Sequence, residues 1–245
     1  KDVRDIETAM ACGADYVAVS FVKNRTDVEM ARQLANIAGV KHGIRPLVIA
    51  KIERAEAIPA LKEILEAADG IMVARGDLAV EVGDASVPAL QKRMIRLARE
   101  HNKLTITATQ MMESMISSPV PTRAEVSDVA NAVLDGTDAV MLSAETAIGQ
   151  YPIEAVACMD AVLRETEAYQ YYALGGEFRH YASQGKTTTL EDALGVAAAQ
   201  LSRDLKARAI FVLTRSGYTA RIISADRPAA PVMALTHDEK VMRRL

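Results

Sequence analysis

The sequence has no tryptophan, only two cysteines and few aromatic residues, and its charges of opposite sign nearly balance. Cys12 and Cys158 cannot form a disulfide framework, so a small secreted scaffold is excluded and a reducing, cytoplasmic location is expected. The 29 Lys+Arg and 32 Asp+Glu give a net charge of -3, which disfavours nucleic acid as the main partner. No uncharged apolar run approaches the roughly 18 residues of a membrane span.

What the chain does have is apolar residues, which make up 50% of its 245 positions and exclude intrinsic disorder. The charged segment Lys1–Asp5 at the start is unlike a signal peptide. Because the sequence does not begin with methionine, we expect the chain to be a piece of a longer protein.

Short apolar runs alternate with amphipathic stretches through the first two thirds of the chain. The runs lack strict polar alternation, which is typical of strands buried on both faces of a parallel sheet. The predicted strands are Tyr16–Phe21, Leu47–Glu53, Ile71–Asp77, Leu104–Gln110 and Ala139–Glu145. Strands that alternate with helices predict a parallel sheet with right-handed crossovers.

Capping signals delimit the helices between these strands. Thr26 with Glu29 and Thr122 with Glu125 have the spacing of capping boxes. Gly39 and Gly136 are expected to end the two helices that follow these boxes, because glycine accepts the left-handed conformation that closes many helices. A further helix is predicted to begin at Pro152 and to run to about residue 168.

All five predicted strands carry polar residues at their carboxyl ends. They are Ser20, Lys51, Glu53, Arg75, Asp77, Thr107, Thr109, Gln110, Ser143 and Glu145. A ring of polar residues at successive strand ends is typical of a (β/α)8 barrel, whereas an open doubly wound sheet would concentrate its polar residues at one switch point. The fold class predicted is therefore α/β, a partial (β/α)8 TIM barrel that supplies the last five strands.

The character of the sequence changes after residue 168. Residues 169–187 are predicted to be a linker, and residues 188–245 to be the first part of a smaller α/β domain. A helix capped by Thr188 and Glu191 should carry the apolar face Leu190, Leu194, Ala197, Leu201 and Leu205. The strands Ala209–Leu213 and Pro231–Leu235 follow, with a helix between them. The predicted domains are thus 1–168, the linker 169–187, and 188–245.

Three charged residues on two neighbouring strands suggest a metal site. Lys51 and Glu53 are two positions apart, so their side chains project to the same face of one strand, and Asp77 lies at the end of the next. Carboxylates suit Mg²⁺, and a lysine beside the ion could neutralise charge on a phosphoryl or enolate group. The alternative is a structural ion pair between Lys51 and Glu53.

The remaining candidates give weaker signals. Gly76 and Asp77 could bind an anion through their backbone N–H groups, but a Gly-Asp pair is also a common turn. Thr109 could hydrogen-bond a substrate or relay a proton, although an isolated threonine is usually structural. Ser143 and Glu145 could orient the lysine or the threonine. The scattered histidines disfavour a zinc site, and the sequence contains neither Gly-x-Gly-x-x-Gly nor a P-loop.

A hydroxyl-rich loop in the second domain predicts a phosphate site. It comprises Thr214, Arg215, Ser216, Gly217, Tyr218 and Thr219, and it follows a strand and opens a helix. Hydroxyls and free N–H groups at a helix N-terminus favour phosphate binding. An ordinary capped loop is the alternative.

Several long motifs, in order, resemble the pyruvate kinase family, and bacterial members in particular. They are Val48–Glu56 (VIAKIERAE), Ile71–Leu78 (IMVARGDL), Ile106–Met115 (ITATQMMESM), Pro121–Glu125 (PTRAE), Asp128–Gly136 (DVANAVLDG) and Met141–Thr146 (MLSAET). The resemblance implies phosphoryl transfer from phosphoenolpyruvate to ADP, giving pyruvate and ATP, with Mg²⁺ (or Mn²⁺) and K⁺.

The resemblance also implies roles for individual residues. Lys51 would stabilise phosphoryl and enolate charge, and Glu53 with Asp77 would bind the divalent metal. Gly76 and Asp77 would bind the substrate carboxylate, Thr109 would lie beside the substrate, and Ser143 could assist proton delivery. The loop at 214–219 would bind a phosphorylated allosteric effector in a homotetramer.

Members of this family are about twice as long as this chain. The resemblance therefore places the K⁺ ligands and the first strands of the barrel outside the chain, and these 245 residues alone are expected to be inactive. Two alternatives stay open: a Mg²⁺-dependent barrel lyase that acts on phosphoenolpyruvate or a related enolate, and a non-catalytic effector-binding fragment.

Overall fold

The structure, a computed structural model, describes residues 2–173, 189–228 and 230–245, with the backbone alone at 171–173. The chain divides into two compact units, Lys1–Ala168 and Tyr169–Leu245. None of the helices that the structure describes is long and apolar enough to cross a membrane.

The first unit is built on a sheet of five parallel strands in the order β1-β2-β3-β4-β5. The strands are β1 (Tyr16–Val19), β2 (Leu47–Ile52), β3 (Gly70–Ala74), β4 (Leu104–Ala108) and β5 (Ala139–Met141). The helices are α1 (Asp2–Ala11), α2 (Arg25–Val40), α3 (Leu61–Ala67), α4 (Arg75–Val82), α5 (Val87–Glu100), α6 (Arg123–Asp135), α7 (Ala144–Ala147) and α8 (Pro152–Ala173). This architecture of helices alternating with parallel strands confirms the α/β fold class.

Both faces of this sheet are buried, as the apolar strand sequences predict. On one face Val48, Ala50 and Ile52 pack against buried residues of the helices. On the opposite face Ile49 and Met72 pack among neighbouring strand residues. Buried methionines Met111, Met112 and Met115 form a separate cluster with α6 and α8.

The strands end earlier than the sequence predicted: β5 stops at Met141 instead of Glu145, and β3 stops before Arg75–Asp77. Those residues begin α4 instead of extending β3. The pairing of β3 with β4 stops at Ala74 and Ala108, because Thr109 and Gln110 leave the sheet with positive φ values of 67° and 54°. Without a neighbour to pair with, the chain turns directly into a helix.

The predicted helix ends are partly right. Thr122 and Glu125 form the capping box of α6, and Gly136 closes that helix in the left-handed conformation, as predicted. The cap of α2 is Asn24 instead of Thr26, because Asn24 is extended and its side chain accepts a hydrogen bond from Asp27 N at 3.2 Å. Gly39 lies inside α2, which continues to Val40.

The prediction for the end of α8 was too short. The helix continues to Ala173, five residues into the predicted linker, since no proline or glycine interrupts it there. The rest of that predicted linker, 174–187, and the predicted cap Thr188 lie outside the described residues.

The second unit contains α9 (Leu190–Asp204), β6 (Ile210–Leu213), α10 (Tyr218–Ala225), β7 (Val232–Leu235) and α11 (Glu239–Arg244), and its two strands are parallel. A capping box of Thr189 and Asp192 begins α9, one position after the predicted pair. Val212 and its neighbours on one sheet face pack against the helices.

The apolar row predicted for α9 points away from the core. Leu190, Leu194, Leu201 and Leu205 are exposed, whereas Gly195, Ala199 and Ser202 are buried. The reason is close packing of α9 against α10: a Cβ atom at Gly195 would lie 2.6 Å from Ile222 Cγ2. Small residues are therefore needed at the contact, and the larger leucines take the outer side.

Candidate active site

Lys51 and Glu53 form a close ion pair at the carboxyl end of β2. Lys51 Nζ lies 2.5 Å from Glu53 Oε1 and donates to Ser20 Oγ at 2.9 Å. Glu53 Oε2 accepts a hydrogen bond from Phe21 N at 2.7 Å. The Glu53 side chain is 1% exposed and that of Lys51 25% exposed, so the carboxylate is buried while the lysine side chain is partly exposed. The predicted ion pair is therefore present, and each carboxylate oxygen keeps a lone pair that could bind a cation.

The first turn of α4 places Gly76 and Asp77 beside Thr109. Gly76 N donates to Thr109 Oγ1 at 2.9 Å, and Thr109 Oγ1 donates to Ala108 O at 2.6 Å. The Asp77 carboxylate is exposed and makes no hydrogen bond or ion pair with any residue that the structure describes. At the start of α4 the unpaired Asp77 carboxylate thus lies next in sequence to the Gly76 N–H, which already donates to Thr109 Oγ1.

Arg75 is the buried cation of this site, with 6% of its side chain exposed. Its Nη1 donates to Asp128 Oδ2 on α6 at 2.6 Å. Its Nε and Nη2 donate to Thr109 O at 3.1 and 2.6 Å, and Nη2 also reaches Gln110 O at 2.9 Å. One guanidinium therefore connects α4, the turn after β4, and α6.

Glu145 organises the end of β5 from a buried position. Its Oε2 accepts from Ser143 N at 2.7 Å, and its Oε1 accepts from Met112 N at 3.3 Å. Glu145 is 3% exposed, which makes these N–H donors important for solvating its charge. The hydroxyl of Ser143 has no side-chain hydrogen bond within the described ranges, so it is free to bind a ligand.

The structure brings some predicted site residues together and leaves others apart. Lys51 contacts Glu53, and Gly76 contacts Thr109. Asp77 and Ser143 share no hydrogen bond with these pairs, and their roles stay predictions. Sequence reasoning missed Asp128, because an acidic residue on an amphipathic helix gives no signal beyond that of an ordinary solvated face.

The donors available to a divalent cation are carboxylate oxygens. No group of three or more His, Cys, Asp or Glu residues gathers at metal-binding distance in the part of the chain that the structure describes. Mg²⁺ needs only one or two protein carboxylates with water and substrate oxygens, so Glu53 and the unpaired Asp77 fit its chemistry.

The loop from Thr214 to Thr219 is partly closed on itself. Gly217 N donates to Thr214 Oγ1 at 2.9 Å, and Tyr218 N lies 3.4 Å from Ser216 Oγ. These two N–H groups are therefore not free, contrary to the sequence prediction, because the loop's own hydroxyls cap them. Arg215 is exposed and has no side-chain partner among the described residues, so its guanidinium is available to an anion.

Glu125 joins the turn after β4 to α6. Its Oε1 accepts from Ser114 N at 2.7 Å, and its Oε2 accepts from Ser114 Oγ at 2.6 Å and Thr122 N at 2.7 Å. Burial tends to raise the pKa of Glu125, but the hydrogen bonds from Ser114 and Thr122 outweigh it and hold the pKa below its ordinary value.

We expect Glu125→Gln to lower the free energy of unfolding by about 1 kcal/mol at neutral pH. Because the folded-state pKa is lowered, the ionised carboxylate stabilises the fold above its unfolded-state pKa of about 4.3, and this contribution is lost as the pH falls through the folded-state value. Denaturation midpoints measured between pH 7 and pH 3 should therefore converge for variant and wild type. Glu154→Gln, at an exposed first-turn position of α8, is the control and should show no such convergence. A Glu125→Gln difference that persists unchanged at pH 3 would contradict the assignment.

The fold and the strand ends define the class of protein. It is an α/β protein whose parallel sheet carries polar side chains at its carboxyl edge and is followed by a second α/β unit. Residues 1–156 match the family description "Pyruvate kinase, barrel domain", and residues 192–245 match "Pyruvate kinase, alpha/beta domain". The chain belongs to the pyruvate kinase family, which confirms the resemblance read from its motifs.

Individual relatives are similar to this chain along its whole length. It is 45% identical over 245 residues to pyruvate kinase 2 of Synechocystis sp., covering 100% of this chain and 40% of the relative. It is 46% identical over 245 residues to pyruvate kinase of Methylorubrum extorquens, covering 100% of this chain and 49% of the relative. It is 47% identical over 248 residues to pyruvate kinase of Geobacillus stearothermophilus, covering 100% of this chain and 41% of the relative. The chain therefore spans about half the length of these relatives, or less.

Proposed function

We propose that the full-length protein containing this chain transfers a phosphoryl group from phosphoenolpyruvate to ADP, which gives pyruvate and ATP. The observation that carries this proposal is the ammonium of the partly exposed Lys51 side chain, held 2.5 Å from the buried Glu53 at the carboxyl end of a strand in a chain of this family. A fixed positive charge at that place suits a reaction in which negative charge develops on transferred and leaving oxygens.

Lys51 stabilises the charge on the phosphoryl group and on the enolate oxygen that remains after transfer. Its position is set from two sides, by Glu53 Oε1 and by Ser20 Oγ, so the ammonium needs little reorganisation during the reaction. The Glu53 carboxylate is fixed in turn by Phe21 N.

The substrate carboxylate binds at the start of α4, where N–H groups lack partners within the helix and the helix dipole favours anions. The hydroxyl oxygen of Thr109 already occupies the N–H of Gly76 in this structure. A carboxylate oxygen would take over or share that donor. The Thr109 hydroxyl donates its proton to Ala108 O in this structure, so it would turn away from that carbonyl to donate to the substrate. Thr109, and Ser143 with a water molecule, are the proposed route for the proton that converts the enolate to pyruvate.

Glu53 and Asp77 are the proposed ligands of Mg²⁺ or Mn²⁺, which as a Lewis acid would neutralise charge on substrate oxygens. The ligands of K⁺ are expected outside this chain. Thr214, Arg215, Ser216, Gly217, Tyr218 and Thr219 are proposed to bind a phosphorylated allosteric effector. A homotetramer in the cytoplasm is the proposed form of the whole protein.

The test is a coupled assay of pyruvate formation by the full-length protein with phosphoenolpyruvate, ADP, Mg²⁺ and K⁺. We expect turnover that requires both the nucleotide and the divalent metal. Equal pyruvate formation without ADP would favour a lyase or phosphatase, and would overturn the proposal. Binding of a phosphorylated effector with no turnover would leave only a regulatory role.

A further inference from the structure

The turn after β4 holds two consecutive residues in a conformation that their side chains disfavour. Thr109 has φ 67° and Gln110 has φ 54°. A positive φ is rare for any residue other than glycine, and a β-branched threonine there is a genuine outlier. Such a conformation persists only where the surrounding structure imposes it.

The contacts that impose it come from the first two residues of α4. The Arg75 guanidinium donates to the carbonyl oxygens of both Thr109 and Gln110, while Gly76 N donates to the hydroxyl of Thr109. Asp128 fixes the guanidinium from the opposite side at 2.6 Å. Thr109 is thus held at its carbonyl and at its hydroxyl by adjacent residues of one helix.

We infer that Arg75 is a positioning residue for the reaction, which acts by holding the Thr109–Gln110 turn in the left-handed conformation and so fixing the Thr109 hydroxyl. Only arginine carries a planar fork that can reach two carbonyls and a carboxylate at once. This inference rests on the proposed function for its kinetic consequences, since it assumes that Thr109 contacts the substrate.

The variant Arg75→Lys keeps the positive charge and removes the fork. In the full-length protein we expect kcat to fall about 100-fold, because an error of about 1 Å in a reacting group has that order of effect. The KM for ADP should change far less. Arg32→Lys is the matched control: Arg32 Nη2 also donates to a carbonyl, Ala67 O, and to a carboxylate, Asp69 Oδ2, both at 2.7 Å, but beside the amino ends of β2 and β3. Its kcat should stay within about twofold of wild type.

Two second-site changes separate positioning from general stability. Adding Gln110→Gly to Arg75→Lys should raise kcat roughly tenfold above that of Arg75→Lys alone, because glycine accepts a positive φ without the strain of a side chain. Adding Thr109→Val to Arg75→Lys should cost little beyond Thr109→Val alone, because both changes remove the same positioned hydroxyl.

A third measurement does not depend on activity. Gly76 lies in the first turn of α4, where no carbonyl of its own helix accepts its N–H, so its hydrogen exchange reports the bond to Thr109 Oγ1. We expect exchange at Gly76 to accelerate in Arg75→Lys and not in Arg32→Lys.

Unchanged exchange together with kcat near that of wild type would overturn the inference. So would an equal loss of kcat from Arg75→Lys with and without Thr109→Val. If the wild-type protein showed no phosphoryl transfer, the proposed function would fail, whereas faster exchange at Gly76 would still support the positioning role of Arg75.

Discussion

We expect Lys51→Met to lower kcat for phosphoryl transfer by roughly a thousandfold or more in the full-length protein. The substitution removes the cation that faces the developing charge, and loss of a single uncharged donor at such a place already costs about 100- to 1000-fold. Methionine has a similar length and no charge, so the effect isolates the ammonium. Steady-state kinetics with phosphoenolpyruvate and ADP would measure it.

Lys51→Met also leaves Glu53 buried without its ionic partner, which is expected to lower stability. Lys51→Arg separates the two effects, because it keeps a cation beside Glu53 while changing the geometry of the donor. We expect this variant to unfold near the wild-type temperature and still to lose most of its activity.

Lys103→Met is the matched control for Lys51→Met. Lys103 Nζ donates to Ala68 O at 2.6 Å, immediately before β4 and so near the amino ends of the strands. Its removal should leave kcat within about twofold of wild type, as for substitutions away from the reacting groups. Near-normal kcat in Lys51→Met would remove this lysine from the mechanism.

The largest expected effect on stability comes from Gly70→Ala. Gly70 is the first residue of β3, between β2 and β4. A Cβ atom there would lie 2.7 Å from Leu104 O, 2.8 Å from Leu104 Cβ and 2.8 Å from Ile49 Cδ1. Because a main-chain atom of β4 is among them, the sheet itself must shift, and we expect a loss of about 3 kcal/mol in the free energy of unfolding.

Gly76→Ala tests whether the loss comes from the clash and not from removal of a glycine. A Cβ at Gly76 would meet Thr109 Oγ1 at 3.6 Å, an ordinary contact, and alanine is the better helix former. Guanidinium titrations should therefore give Gly76→Ala a free energy of unfolding equal to or slightly above that of wild type. Equal losses in the two variants would contradict the explanation for Gly70.

The conformation and contacts of the turn after β4 could not be predicted from the sequence. Thr109 was recognised as a candidate because it lies at the carboxyl end of a predicted strand. Neither its positive φ nor its contacts with Arg75 and Gly76 left a local signal, since these partners are 34 and 33 residues away along the chain. Asp128 is 53 residues from Arg75 and was overlooked for the same reason.

The helix α9 shows a different reason for failure. Its leucine row has the correct spacing for a buried face, and yet the helix buries Gly195 and Ala199. Hydrophobic periodicity identifies the helix face with the largest apolar side chains, whereas close packing against α10 requires the face with the smallest side chains. Which of these two faces is buried depends on the distance between the helices, and that distance is a property of the tertiary structure.

By itself the sequence determined that this protein is α/β, with parallel strands, polar residues at the strand ends and the motifs of its family. It could do so because burial on both faces gives a strand a short continuous apolar run, while burial on one face gives a helix a regular apolar period. Only the tertiary structure decided that β3 stops at Ala74, that Lys51 meets Glu53 and Ser20, and that Arg75 holds Thr109. Those outcomes depend on hydrogen-bond partners from other strands and helices, and residues distant in sequence become neighbours only when the chain has folded.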